Sequence, residues 1–184
     1  MSLTIKDYEK LQTIFSECHI DAQMELVDGK IIIMGLSDYI SEEIIARLIF
    51  FLQSWVMPRQ LGRVTGSGAG FIIPDGNLRG PDVSFVSAAR MRQSPRSFAP
   101  IIPDLMVEVK SASDRITPLE EKILRFLELG TQVGILIDPD KFTVTVYRPY
   151  NAPILLTNND VLTVPELLPG WELPIAELWP PVFK

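Results

Sequence analysis

At 184 residues the chain is long enough to close one substantial core, and its 47% apolar content excludes a disordered chain. A single cysteine, Cys18, excludes an internal disulfide, and no apolar run approaches the ~18 residues of a membrane span. The net charge of −6 argues against a nucleic-acid partner, but the window from Arg59 to Arg96 holds six arginines against two acids. Such a window reads either as a solvated loop or as a phosphate-binding stretch beside a site. With no signal-peptide pattern at the N-terminus, the expectation is one cytoplasmic domain over residues 1–184, with no membrane association.

Thr4 has the position of an N-cap for a helix reaching about Cys18, with Tyr8, Leu11, Ile14 and Phe15 on one face. Asp28-Gly29 between Met24–Val27 and Lys30–Met34 signals a tight hairpin, because that pair supplies the positive φ angles of the turn. Ser37 is the expected cap of a longer helix running to about Val56, with Ile40, Ile44, Leu48 and Phe51 as its core stripe. Glu43 lies at the edge of that stripe. It reads equally as a surface acid paired with Arg47 and as a site acid, whereas Glu42 points outward.

Gly62 to Gly70 is glycine-rich, with Arg63-Val64-Thr65 strand-like inside it, and Phe71-Ile72-Ile73 leads into the turn Pro74-Asp75-Gly76-Asn77. The run Pro81-Asp82-Val83-Ser84-Phe85-Val86 is a strand with an acid at its start. Ser87 to Pro100 is a polar, basic loop. A second strand, read over Pro103 to Lys110 and ending in Ser111 to Asp114, precedes a helix for which Thr117, Pro118 and Glu120 form the expected capping box, and Gly130 ends it. Leu119, Ile123, Phe126 and Leu127 make its inner stripe, and Lys122 sits at the edge, where periodicity alone reads it as a snorkelling surface lysine. Val133 to Ile137 is a buried strand suited to parallel pairing with the Glu108 strand, and Phe142 to Tyr147 alternates like a half-exposed one. The proline-rich tail, from Val161 through Leu168-Pro169-Gly170-Trp171 to Leu178, is expected to pack on the domain surface.

The chemistry concentrates in Pro103-Asp104-Leu105-Met106-Val107-Glu108-Val109-Lys110. Strand alternation puts Leu105, Val107 and Val109 on one face and Met106, Glu108 and Lys110 on the other. Charges on a buried strand are costly unless paired or used. Asp82 and Glu108 fall on successive strands, so adjacency would let their carboxylates converge. Two carboxylates with water and a backbone carbonyl suit Mg²⁺, a hard ion that takes oxygen ligands. Lys110 on the same face could orient the attacking water or stabilise charge on a phosphate. The bland alternative is a salt bridge between Glu108 and Lys110 or a neighbouring strand. His19 beside Cys18 offers too few ligands for zinc, and Gly66 to Gly70 lacks the Gly-Lys-Ser/Thr of a phosphate-binding loop.

The runs Arg79 to Val86 and Pro103 to Asp114, then Glu121-Lys122, Gly130 and Ile137-Asp138-Pro139, occur in an order that resembles the putative restriction endonuclease domain family, placed in the P-D…(D/E)-x-K nuclease superfamily. The resemblance runs from the Asp28-Gly29 hairpin to the Trp171 tail. It implies an α/β, restriction-endonuclease-like core: a mixed β-sheet flanked by helices. It also implies metal-binding roles for Asp82 and Glu108. In many members the position two after the glutamate is not lysine, while a lysine matching Lys122 is common; this chain has both, so the catalytic lysine is Lys110 or Lys122. A histidine common in the family falls on Ser41 here, and no role carries over to it. The expectation is a DNA endonuclease using Mg²⁺ or Mn²⁺, with the arginines from Arg79 to Arg96 on the phosphate backbone. Cutting both strands calls for a homodimer with one site per subunit. The alternative is a non-catalytic module on the same scaffold that binds nucleic acid or protein.

Overall fold

The computed structural model describes residues 2–183. Helix α1 (Ile5–Glu17) is capped by Thr4 as its pattern predicts: the Thr4 hydroxyl accepts from the Asp7 N–H and the Asp7 carboxylate accepts from the Thr4 N–H. Strands β1 (Gln23–Val27) and β2 (Lys30–Met34) form the expected hairpin, with Asp28 and Gly29 at φ of 49° and 70°.

Helix α2 (Tyr39–Arg59) departs from expectation at its start. Asp38, not Ser37, is the cap, and its carboxylate accepts from Ser41 N–H and also from Ala112 N–H. The Ser41 hydroxyl donates to the Lys110 carbonyl. These anchors turn Ser41 inward, so the buried stripe is Ser41, Ile44, Ile45, Leu48, Leu52 and Val56, and Ile40 is left 53% exposed. The helix continues through Pro58 and ends where Gln60 adopts a left-handed conformation.

After β3 (Gly62–Gly66), β4 (Phe71–Ile72) and β5 (Leu78–Arg79) come β6 (Val83–Ser87), β7 (Leu105–Val109), helix α3 (Ile116–Glu128), β8 (Val133–Asp138), β9 (Thr143–Tyr147) and β10 (Ile154–Leu156). The main sheet has the order β10-β9-β8-β7-β6-β3. Its neighbours are antiparallel except β7 and β8, which α3 joins in parallel, so the sheet is mixed as expected. A smaller antiparallel sheet, β2-β1-β5-β4, stands beside it.

One face of the main sheet, with Val83, Phe85, Leu105, Val107, Val109 and Ile135, packs on α2. The other, with Val86, Met106 and Leu136, packs on Ile123 and Phe126 of α3. Helix α3 also starts differently from expectation. Arg115 is the cap residue and makes no side-chain cap bond, so the capping box at Thr117 does not form. Glu120 is taken instead by the Tyr147 hydroxyl, 2.8 Å away. The tail corrects its expectation too. Strands β11 (Val161–Thr163) and β12 (Glu172–Pro174) pair, and Leu162, Leu168, Trp171, Leu173 and Leu178 are buried in the same core as α2.

Candidate active site

Register brings the two predicted acids together. Val83 pairs with Val107 and Ser84 with Met106, and the same register carried one residue on sets Asp82 opposite Glu108. Asp82 lies just before β6, where Pro81 has broken the ladder, and its Oδ2 accepts the Val109 N–H at 2.7 Å. Glu108 faces α3, as alternation predicts, and is 3% exposed.

Lys122 is buried rather than snorkelling. Its ammonium lies 2.9 Å from Glu108 Oε1 and 3.1 Å from Glu25 Oε1, and it donates to the Gly80 carbonyl at 2.9 Å. Glu25, on β1, was not a sequence candidate. It accepts from Gly80 N–H at 2.8 Å and from Arg79 Nε at 3.1 Å. Its signal was present: a carboxylate set between Met24 and Leu26 in a strand is the anomaly that singled out Glu108. The smaller sheet therefore brings Glu25 and Arg79 to the flank of the main sheet, and α3 brings Lys122.

Lys110 is placed elsewhere. Strand β7 ends at Val109, and the Lys110 ammonium reaches Asp140 at 2.7 Å and the Ser111 carbonyl at 3.1 Å. Glu43 is half-buried, and Arg47 donates to the Glu177 carbonyl instead of pairing with it. The exposed Glu42, also on α2, and Asp114 lie near enough for their charges to act on Asp82 in the same direction as its burial.

The basic window is also largely committed. Arg79 serves Glu25, Arg90 binds the buried Asp104 at 2.6 Å, and Arg63 donates to the carbonyls of Met91 and Arg92. Arg92 and Arg96 remain exposed. The desolvation cost of Asp104 and Glu25 explains why these arginines fold inward: each carboxylate would otherwise be a buried, uncompensated charge.

The environment separates the acids. Burial pushes the Glu108 carboxyl up to about 8, and the neighbouring Asp82 and Glu25 charges oppose the relief that Lys122 gives. Burial also raises Asp82, against the Val109 N–H and Lys122. Glu25 is buried as well, but Lys122, Arg79 and the Gly80 N–H outweigh burial and hold it below the usual carboxylate range. Burial acts to lower Lys122, yet Glu108 and Glu25 keep its ammonium above the ordinary lysine range. Lys122 thus keeps its charge between two acids, of which Glu25 holds its own charge the more readily and Glu108 is the group poised to exchange a proton.

One oxygen of the site is left over. Glu108 Oε1 is buried and lacks an aligned hydrogen bond, although Lys122 lies close enough to attract it. Among the described residues no three acids, histidines or cysteines gather closely enough to hold a metal alone. Asp82 and Glu108 fit an ion that keeps most of its own water and takes one or two carboxylates, the habit of Mg²⁺. A cavity of about 120 Å³ opens beside Glu25, Arg79 and Gly80. A roomier one of about 490 Å³ lies farther along the same sheet face, at Thr65 and Ser84, and does not reach the carboxylates.

A mixed sheet between helices, with an acid at one strand's start, an acid within the next and a lysine from the crossover helix, defines a nuclease-like α/β domain. The sequence model of the Uma2 family, described as "Putative restriction endonuclease", matches residues 5–176, and the chain belongs to that family. A crystal structure of a "putative nuclease belonging to DUF820" from Anabaena variabilis is similar at a TM-score of 0.77 and 25% identity, over 88% of this chain and 94% of that one. A DrdV–DNA complex seen by cryo-electron microscopy is 10% identical with a TM-score of 0.35, over 61% of this chain and 12% of that one. No curated protein matches the chain. Among the described residues no helix is long and apolar enough to cross a membrane.

Proposed function

We propose that this protein is a metal-dependent endonuclease that hydrolyses DNA phosphodiester bonds. The observation that carries the reading is the convergence of Asp82, Glu108 and a buried Lys122 from three separate elements, with one Glu108 oxygen lacking an aligned hydrogen bond. Asp82 and Glu108 would hold Mg²⁺ or Mn²⁺, which when bound supplies a water of lowered pKa and charge to match the phosphate. Val109 N–H fixes one Asp82 oxygen and aims the other. Lys122, rather than Lys110, is the lysine beside the reacting centre; its ammonium orients the water and stabilises negative charge there. Glu25 and Arg79 act behind it, holding Lys122 charged and in place.

The test is nicking of supercoiled plasmid with Mg²⁺, with Mn²⁺ and with chelator, beside Asp82→Asn and Glu108→Gln. Metal-dependent nicking lost in both variants supports the assignment; nicking by either variant at the wild-type rate sinks it. A second reading, a non-catalytic nucleic-acid- or protein-binding module, is favoured by one observation: Lys110 is closed in an ion pair with Asp140, and Lys122 is closed between two acids. No nicking under any condition, with no metal binding by calorimetry, selects that reading.

A further inference from the structure

Strand β2 is built as though both its faces and its edge were covered, yet in the single chain Ile31 packs on the core of the small sheet while Ile32 and Ile33 stay exposed. The strand reads Lys30-Ile31-Ile32-Ile33-Met34 and ends the order β2-β1-β5-β4, so among the described residues only β1 pairs with it. A strand with water on one face alternates apolar and polar residues; one that is apolar on both sides is normally enclosed. Here Ile33 is 61% exposed, and Ile32 on the opposite face is exposed too. The apolar run continues along the chain in Leu36, 104% exposed, and Tyr39, 84% exposed. Of the usual protections of an open edge the strand has one charge, Lys30 at its turn end; an inward charge, a proline and a bulge are missing from it.

The hydrogen-bond phase of the edge follows from the hairpin. The two-residue turn makes Val27 and Lys30 a hydrogen-bonded pair, so Lys30, Ile32 and Met34 bond inward to β1. The N–H and C=O groups of Ile31 and Ile33 point outward. Two such edges fit each other antiparallel about Ile32: Ile31 exchanges both bonds with Ile33 of the other copy, and the reverse. In that alignment Lys30 falls opposite Met34, so no like charges meet.

We propose that a second copy of this chain docks along β2, joining the two small sheets into one antiparallel sheet of eight strands through a two-fold axis at Ile32. The occupant is a copy of the chain because the edge is complementary to itself in register, in side-chain character and in charge. Leu36 and Tyr39 widen the contact toward the ~1,200 Å² that a specific interface needs. Ile32 is the cross-strand neighbour of Glu25, so the axis runs beside the site. Both Glu25 residues then sit on the same face of the joined sheet, about three strand spacings or ~14 Å apart. The dimer does not depend on the nuclease reading.

The test is sedimentation equilibrium of the full chain over a concentration series. The wild type should move from 20.7 kDa toward twice that mass. Ile33→Pro removes only an outward N–H, so it should keep the wild-type circular dichroism and melt while losing the dimer. Ile33→Lys does the same by charge and covers the case in which the proline variant fails to fold. In a Cys18→Ser background, Ile32→Cys should form a disulfide-linked dimer on mild oxidation, because directly opposed residues in a non-hydrogen-bonded pair lie ~4.5 Å apart at Cα, within disulfide reach. A wild type that stays monomeric, folded Ile33 variants that still dimerise, or loss of the dimer in Leu155→Lys on β10, an edge strand of the main sheet, with the β2 variants unaffected would each overturn the proposal.

Discussion

Asp82, Glu108 and Lys122 differ in what their removal should do. Asp82→Asn keeps an oxygen able to accept the Val109 N–H, so nicking should vanish while the melting temperature stays within a few degrees of wild type. Lys122→Met removes the ammonium packed between buried Glu25 and Glu108, leaves the Glu25 charge to Arg79 alone, and should destabilise by about 3 kcal/mol in urea denaturation at neutral pH, besides removing nicking. Lys110→Met opens only the bond to an exposed Asp140 and should leave nicking near wild type; loss of nicking there would move the catalytic role to Lys110. Glu108 sets a pH signature in chelated protein. Its folded-state pKa is raised, so between the ordinary carboxylate range and about pH 8 the folded chain keeps a proton the unfolded chain has released. Stability from this group is complete below that window and falls as pH rises through it. Glu108→Gln should abolish the decline and exceed wild type at pH 8 by on the order of a few kcal/mol. Glu25 works in the other direction: its pKa is lowered, so its contribution is present above the ordinary range and is lost in acid.

Much of this site was legible in the sequence and part of it was not, for a physical reason. Asp82 and Glu108 interrupt apolar strands, and a charge in an apolar strand is visible without coordinates. Lys122 lies at a stripe edge, where buried and snorkelling lysines share one pattern. Glu25 decides between them, and it is 97 positions away in sequence on another sheet, so only the assembled fold reveals the pairing. The same limit hid the inward turn of Arg79 and Arg90, whose partners Glu25 and Asp104 are tertiary neighbours.

Among the elements, local chemistry was the better guide where caps and turns act alone, as at Thr4 and Asp28-Gly29. It failed where a distant group competes. The Tyr147 hydroxyl takes Glu120 from the capping box, and Lys110 and Ala112 set the rotation of α2 through Ser41 and Asp38. The contact that seats α3 on the sheet is equally non-local. Gly134 on β8 has no side chain because the Ile123 side chain occupies that space. Gly134→Ala should push α3 outward and cost about 1–3 kcal/mol in urea denaturation. Because Lys122 adjoins Ile123, the same variant should lower the nicking rate more than the folded fraction accounts for.

Over the whole molecule, the committed arginines limit how the protein can grip a polyanion. With Arg92 and Arg96 the loop's cations that have no carboxylate partner among the described residues, binding of the Asp82→Asn variant to duplex DNA should show a log–log salt slope of only about −2 to −3. Arg92→Ala combined with Arg96→Ala should reduce that slope by about 2, measured by fluorescence anisotropy across salt concentrations.

The tail bears on the molecule's history as well as its stability. Leu162, Leu168, Trp171, Leu173 and Leu178 complete the core that α2 and the main sheet begin. While the chain is being synthesised, residues 1–160 can assemble every strand of the main sheet yet cannot close its larger apolar face. That surface stays open to chaperones and to neighbouring nascent chains until residue 178 has emerged from the ribosome, so an apolar face assembled from residues 1–160 waits on a segment made after it.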